Sequence, residues 1–220
     1  VVLVHGFMRS GASMVPMSMG LRRRGFVPRL VSQWNFSAEI PDLADALFAR
    51  VMAMRDVFGR TEGYVPDVHF VTHSMGGIVV RSMLSRHEIP GPNRIVMLAP
   101  PNRGSRFAQL MHVRWRFPWG EFDPLRKLLP GEQGSCATAG DPDAEIGIIA
   151  GEATKASGFP WSLVGPAIDQ PHDGKVAVDE AHLDGAVDFI VVPRGHTFIM
   201  ASPEVIEQTA AFLRNGRFDR

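Results

Sequence analysis

The sequence predicts an α/β fold, a three-layer sandwich around a mostly parallel sheet of about six strands. Short unbroken apolar runs recur along the chain, as strands buried on both faces of a parallel sheet require. Stretches with helical periodicity separate them. One apolar run also breaks off at a serine followed within two residues by Gly-Gly, the pattern of a tight strand-to-helix turn.

In chain order, Val1–Val4 reads as the first buried strand and stops at His5-Gly6-Phe7. A helix follows near Met14–Arg24, its last turn carrying Arg22, Arg23 and Arg24, where cations suit the negative end of the helix dipole. The second strand falls around Val27–Val31. A long helix then spans about Pro41–Phe58, with Ile40, Leu43, Ala44, Leu47, Phe48 and Val51 on one face and Pro41 in its first turn. Val68–Thr72 forms the third strand and Gly76–Arg86 a helix. Strands at Ile95–Leu98, Ile146–Ala150 and Phe189–Val192 complete the set, and a helix over Pro203–Leu213 closes the chain with Ser202 as its N-cap. Pro100–Glu145 breaks the rhythm. It is rich in Gly, Pro and Trp and reads as a cap or lid (about 101–145) inserted in a single domain covering 1–220, not as a second domain.

Composition narrows the function classes. With 220 residues the chain fits one α/β domain, since such domains reach ~200–250 residues. Its 23 basic and 23 acidic residues balance, so it lacks the basic face that nucleic acid requires. The single cysteine, Cys136, excludes an internal disulfide and lies in a polar, Gly-rich stretch as an incidental loop thiol. No apolar run approaches the ~20 residues of a membrane span. Val1 already reads as core, so no signal peptide is expected and the expected location is cytoplasmic. Histidine spacing suggests no metal site.

The segment VHFVTHSMGG (Val68–Gly77) carries the most chemistry. Ser74 sits between a strand and a glycine-led helix, which presents its hydroxyl as a nucleophile. Thr72 stands where the motif G-x-S-x-G has its first glycine, while Gly76 keeps the second. A serine hydroxyl needs a base, and the base needs a group that holds its tautomer. His196, in the loop after the last strand, is the candidate base, because parallel sheets build sites at the carboxyl ends of their strands. Asp173, on the tight Asp-Gly turn of HDGKV, is the candidate acid; Asp169, Asp179 and Asp184 compete on position, with Asp169 the fallback. The backbone N–H groups of Phe7 and Met75 are the candidate oxyanion donors. The other histidines fare worse: His69 reads as a core or edge residue, His73 as a neighbour of the turn.

Taken together, VVLVHGF, VTHSMGG, MLAPPNRGS, HDGKVAV and PRGHTFIM span nearly the whole chain. They resemble, in order, the lipase and esterase branch of the α/β-hydrolase superfamily, especially its small bacterial lipases. The resemblance implies Ser74 as nucleophile, Asp173 as acid, His196 as base, the amides of Phe7 and Met75 as oxyanion hole, and no cofactor. It implies hydrolysis of small-molecule or lipid carboxylic esters through an acyl-enzyme on Ser74. Thioesterase, amidase or acyltransferase chemistry on the same residues is the alternative, and a non-catalytic binding module on this fold the more distant one. The insert does not match cleanly. Its Arg103, Arg106, Arg114, Arg116, Arg126 and Lys127 alternate with Phe107, Trp115, Phe117, Trp119 and Phe122. An ordinary cap, aromatics inward and cations toward water, is favoured over a mobile lid that touches a lipid surface.

Overall fold

The computed structural model describes residues 1–33, 36–91, 93–119, 124–153 and 170–220, with backbone alone described at 115–119 and 133. Six parallel strands form one sheet: β1 (Val2–Val4), β2 (Arg29–Val31), β3 (Phe70–His73), β4 (Arg94–Leu98), β5 (Glu145–Gly151) and β6 (Asp188–Val192). Their order is β2-β1-β3-β4-β5-β6. Every pairing is parallel, with Leu3 beside both Leu30 and Val71.

Side-chain alternation splits the core into two layers. Val2 and Val4 of β1 face one cluster and Leu3 the other. The first cluster packs α2 (Ile40–Glu62) and α3 (Met75–Arg86) through Leu43, Leu47, Val51, Ile78 and Met83. The second packs α1 (Val15–Arg23) and the carboxyl-terminal helix (Pro203–Asn215) through Met17, Leu21, Val205 and Phe212. The buried face expected of α2 is therefore the one it uses, and the helix ends at Gly63, whose φ of 74° is left-handed. The second strand is shorter than its apolar run. Pro28 has no N–H to donate, Val27 is exposed, and β2 lies at the sheet edge.

The insert contributes α4 (Arg106–Trp119), an element its irregular composition did not reveal. Ser105 caps it, its Oγ accepting the Ala108 N–H at 3.1 Å. A short helix, α5 (Val178–Ala181), follows the Asp-Gly turn where Val176 and Val178 alternate; the carboxyl-terminal helix is α6. Among the described residues no helix is long and apolar enough to cross a membrane.

This topology fixes where a site can form. Chain order reverses at β1, which has β2 on one side and β3 on the other. A crevice opens above the carboxyl ends of strands at such a switch point. The loops His5–Phe7 and Ser74 leave β1 and β3 there.

Candidate active site

Ser74 occupies the single residue between β3 and α3 with φ 53° and ψ −127°. That region costs a non-glycine residue about 1–3 kcal/mol and persists only where its surroundings hold it. Here they do: the Ser74 N–H donates to Leu98 O at 2.9 Å, and its own carbonyl accepts the Gly77 N–H at 2.9 Å. Gly76 lets α3 start against the end of β1, since a Cβ there would lie 2.7 Å from Val4 O and 2.8 Å from His5 O. The Thr72 departure from the motif is accommodated by the same run of glycines. A Cβ on Gly77 would lie 3.3 Å from Thr72 Oγ1, so the bare glycine leaves room for the larger residue.

The loop after β1 is held by its own histidine. The His5 Nδ1–H donates to Gly6 O at 2.8 Å, and Nε2 accepts the Gln33 N–H at 3.1 Å. His5 is thus a neutral imidazole, and burial, ahead of the nearby Arg9 charge, keeps its pKa below the usual value. Gly6 C=O and Phe7 N–H belong to one trans peptide and point in opposite directions. By gripping the carbonyl, His5 fixes the direction of the Phe7 N–H. Gly6 itself presses on the turn, with a Cβ there meeting Ser74 Cβ and His73 Nδ1 at 3.0 Å.

Asp173 and His196 come together across 23 residues. The His196 Nδ1–H donates to Asp173 Oδ2 at 2.7 Å, both side chains being buried. Asp173 Oδ1 accepts the N–H groups of Lys175 at 2.9 Å and Val176 at 2.8 Å. Asp173 O also accepts the His196 N–H at 2.9 Å, so backbone and side chain hold the pair in one orientation. With the Nδ1–H committed to the carboxylate, Nε2 is the acceptor nitrogen of the neutral ring. His73 supports the loop from beneath, its Nε2–H donating to His196 O at 2.9 Å. Its Nδ1 is buried without a partner. Burial, and then the neighbouring His196, hold the His73 pKa well below the ordinary imidazole value.

Ser74 and His196 line one small cavity of about 90 Å³, together with Gly6, Phe7, Leu125 and Leu128. A larger cavity of about 220 Å³ lies at the other end of the sheet, lined by Phe26, Val51, Met54 and Phe58. Among the described residues no serine, threonine or cysteine lines it, so size does not mark the chemistry here. Met75 opens α3, and its N–H has no acceptor within the helix. The expected nucleophile, base and Phe7 loop thus line the smaller cavity, and the expected acid, Asp173, lies outside its lining, bonded to His196. Asp179 and Asp184 bind Arg106 and Arg103 instead, and Asp169 lies outside the described residues.

Several contributors were not expected from the sequence. Glu180, buried, accepts the N–H groups of Arg106 at 2.7 Å and Ala177 at 2.8 Å, and the Arg106 side chain at 2.8 Å. Ser105 Oγ donates to Lys175 O at 2.7 Å. Together they fasten α4 to the loop that carries Asp173. The Cys136 thiol is buried, and burial pushes its pKa up to about 12, so no thiolate is available near neutral pH. Lys127 departs from the cap expectation: it is buried, with Nζ 2.5 Å from Ala38 O. Arg114 and Arg126 do face water, and Phe107 lines the cavity. Phe122 and the side chains of Trp115, Arg116, Phe117 and Trp119 lie outside what is described.

This sheet order, turn and loop placement are those of an α/β-hydrolase fold, which the chain has. Solved structures it resembles include the mature form of Bacillus licheniformis lipase BlEst2, at 19% identity and TM-score 0.75, covering 99% of this chain and 91% of that one. The propeptide form of the same lipase aligns at 20% identity and TM-score 0.79 over all of this chain, which spans 50% of that longer one. Phospholipase PlaB from Legionella pneumophila aligns at 17% identity and TM-score 0.66, covering 98% of this chain and 56% of that one. No family model matches the chain, and no curated protein matches it either.

Proposed function

We propose that this protein is a serine hydrolase of carboxylic esters. The observation that carries the reading is the buried Asp173–His196 pair, whose Nε2 shares a cavity with a serine on a strained turn. As the Ser74 Oγ attacks the ester carbonyl carbon, His196 Nε2 takes its proton. The carbonyl oxygen becomes an oxyanion that the Phe7 and Met75 N–H groups stabilise. Collapse expels the alcohol, which leaves with the proton from His196, and Ser74 retains the acyl group. Water then attacks the acyl-enzyme, giving a proton to His196, which passes it to Ser74 Oγ as the Oγ–acyl bond breaks and the carboxylic acid departs. Asp173 holds His196 in the working tautomer and stabilises the imidazolium without taking the proton. Residues of the 101–145 segment, which we read as a cap on a single domain, supply the apolar wall through Phe107, Ala108, Leu125 and Leu128.

The lipases and phospholipase whose folds this chain shares support an ester substrate over an amide. The test is a series of p-nitrophenyl esters from acetate to long chains, with thioester and amide analogues alongside. Hydrolysis of short to medium esters, abolished by Ser74→Ala and His196→Ala, supports the proposal. Undiminished turnover in either variant overturns it, and faster thioester than ester turnover moves the activity to a thioesterase.

A further inference from the structure

The cavity at Ser74 carries charge of one sign. Arg9, from the loop after β1, and Lys175, from the loop after Asp173, both line it, and no Asp or Glu stands among its described lining residues. Both side chains are half-buried. Neither forms an ion pair or a side-chain hydrogen bond with a described residue. Elsewhere several of the chain's cations pair with carboxylates, as in Arg86–Asp45, Arg94–Glu145 and Arg106–Glu180. The carboxylate nearest in sequence, Asp173, is already committed, with Oδ1 on two backbone N–H groups and Oδ2 on His196. Lys175 is destabilised as a cation by burial and then by Arg9, so the two charges sense one another. Two like charges in a partly desolvated cavity are unfavourable until an anion joins them. The rest of the wall is apolar: Phe107, Leu125, Leu128 and Val176.

We propose that Arg9 and Lys175 form an anion subsite beside the nucleophile, so that the preferred substrate is an ester carrying a carboxylate or phosphate together with an apolar chain. This rests on the ester-hydrolase reading and adds a substrate class to it. No covalent step involves either cation. They bind the anionic group while Ser74 and His196 act on the ester.

The test compares ethyl butyrate with three charged relatives by pH-stat: the butyrate ester of 3-hydroxypropyl phosphate, that of 4-hydroxybutanoate, and monoethyl glutarate. At least one charged ester should exceed the neutral one in kcat/KM by about tenfold or more, the weight of one hydrogen bond between charged groups. That advantage should shrink as salt is raised. In Arg9→Gln/Lys175→Gln the charged-to-neutral ratio should fall towards one; glutamine at 175 keeps the backbone N–H that Asp173 needs. A phosphate preference points to a phosphate-bearing ester such as a lipid headgroup, a carboxylate preference to a half-ester of a diacid. Charged esters no better than neutral, or a ratio indifferent to the double variant, overturn the subsite. An equal loss on all esters also overturns it, because the cations would then serve the oxyanion. If no ester is turned over, the hydrolase reading fails instead. Calorimetric titration with inorganic phosphate then decides the subsite: binding lost in the double variant upholds it, and no binding by the native protein refutes it.

Discussion

Replacing Asp173 with asparagine isolates the element of the site that geometry defines best. The exchange keeps shape and removes one charge. Asp173 Oδ1 accepts two backbone N–H groups, from Lys175 at 2.9 Å and Val176 at 2.8 Å. An asparagine must keep its carbonyl oxygen there, because turning its NH2 toward two donors would leave both unsatisfied, at about 1–3 kcal/mol each. The NH2 therefore faces His196 Nδ1, which stands 2.7 Å from Asp173 Oδ2. To accept from it, Nδ1 must lose its proton, and the neutral imidazole then carries its hydrogen on Nε2. That nitrogen can no longer take a proton from Ser74. The same exchange in a serine protease with this division of roles lowers kcat by about 10⁴, and we expect a fall of about 10³–10⁴ here. Stability should change little, by about 1–2 kcal/mol for one charge-assisted hydrogen bond. The assay is kcat on a short neutral ester beside a urea melt. A loss below tenfold, with the fold intact, would refute the assignment of His196 tautomer control to Asp173.

Other consequences are open to measurement. His5→Ala frees the Gly6–Phe7 peptide, so kcat should fall by up to ~10²-fold, towards the cost of one oxyanion donor, with KM little changed; a rise in KM alone would show that His5 serves substrate binding instead. Gly76→Ala places a methyl 2.7 Å from Val4 O and 2.8 Å from His5 O, which should cost about 3 kcal/mol and lower Tm by about 10 °C; an unchanged Tm would contradict this packing. Burial holds His5, His69, His73 and His172 below the imidazole value of 6.5. The unfolded chain therefore binds more protons than the fold below pH 6.5, and stability should drop as pH falls through that range. The urea midpoint should therefore be lower at about pH 5.5 than at about pH 7.5. An equal or higher acid midpoint would show that these histidines titrate freely.

The sheet was legible because β1, β3, β4 and β5 are covered on both faces, which forces unbroken apolar runs such as Val2–Val4 and Ile146–Ala150. Edge strands lose that constraint, and β2 is accordingly shorter, at Arg29–Val31, than the span its sequence predicts. Ser74 was legible because a strained turn needs glycines beside it. The tolerance of Thr72 was not, since it depends on Gly77 standing across from it in three dimensions. Asp173 emerged from chain order and an Asp-Gly turn, but its backbone partners follow from the loop's fold. The burial of Cys136 and the anchoring of α4 by Glu180 had no local signal. Buried Arg81 ties the segment that contains Cys136 to α3, its side chain reaching Gly140 O at 3.0 Å and Cys136 O at 3.4 Å. Arg9 and Lys175 lie far apart in sequence, and only the meeting of two loops above the sheet makes them neighbours of Ser74.

The central claim is that Ser74 is the nucleophile, and covalent capture tests it most directly. Treating the protein with a fluorophosphonate and locating the adduct by peptide mass spectrometry should give one modification, on Ser74, formed in step with the loss of esterase activity. The adduct should be absent in Ser74→Ala and slow to form in Asp173→Asn. An unmodified Ser74, or full activity after it is modified, would contradict the account.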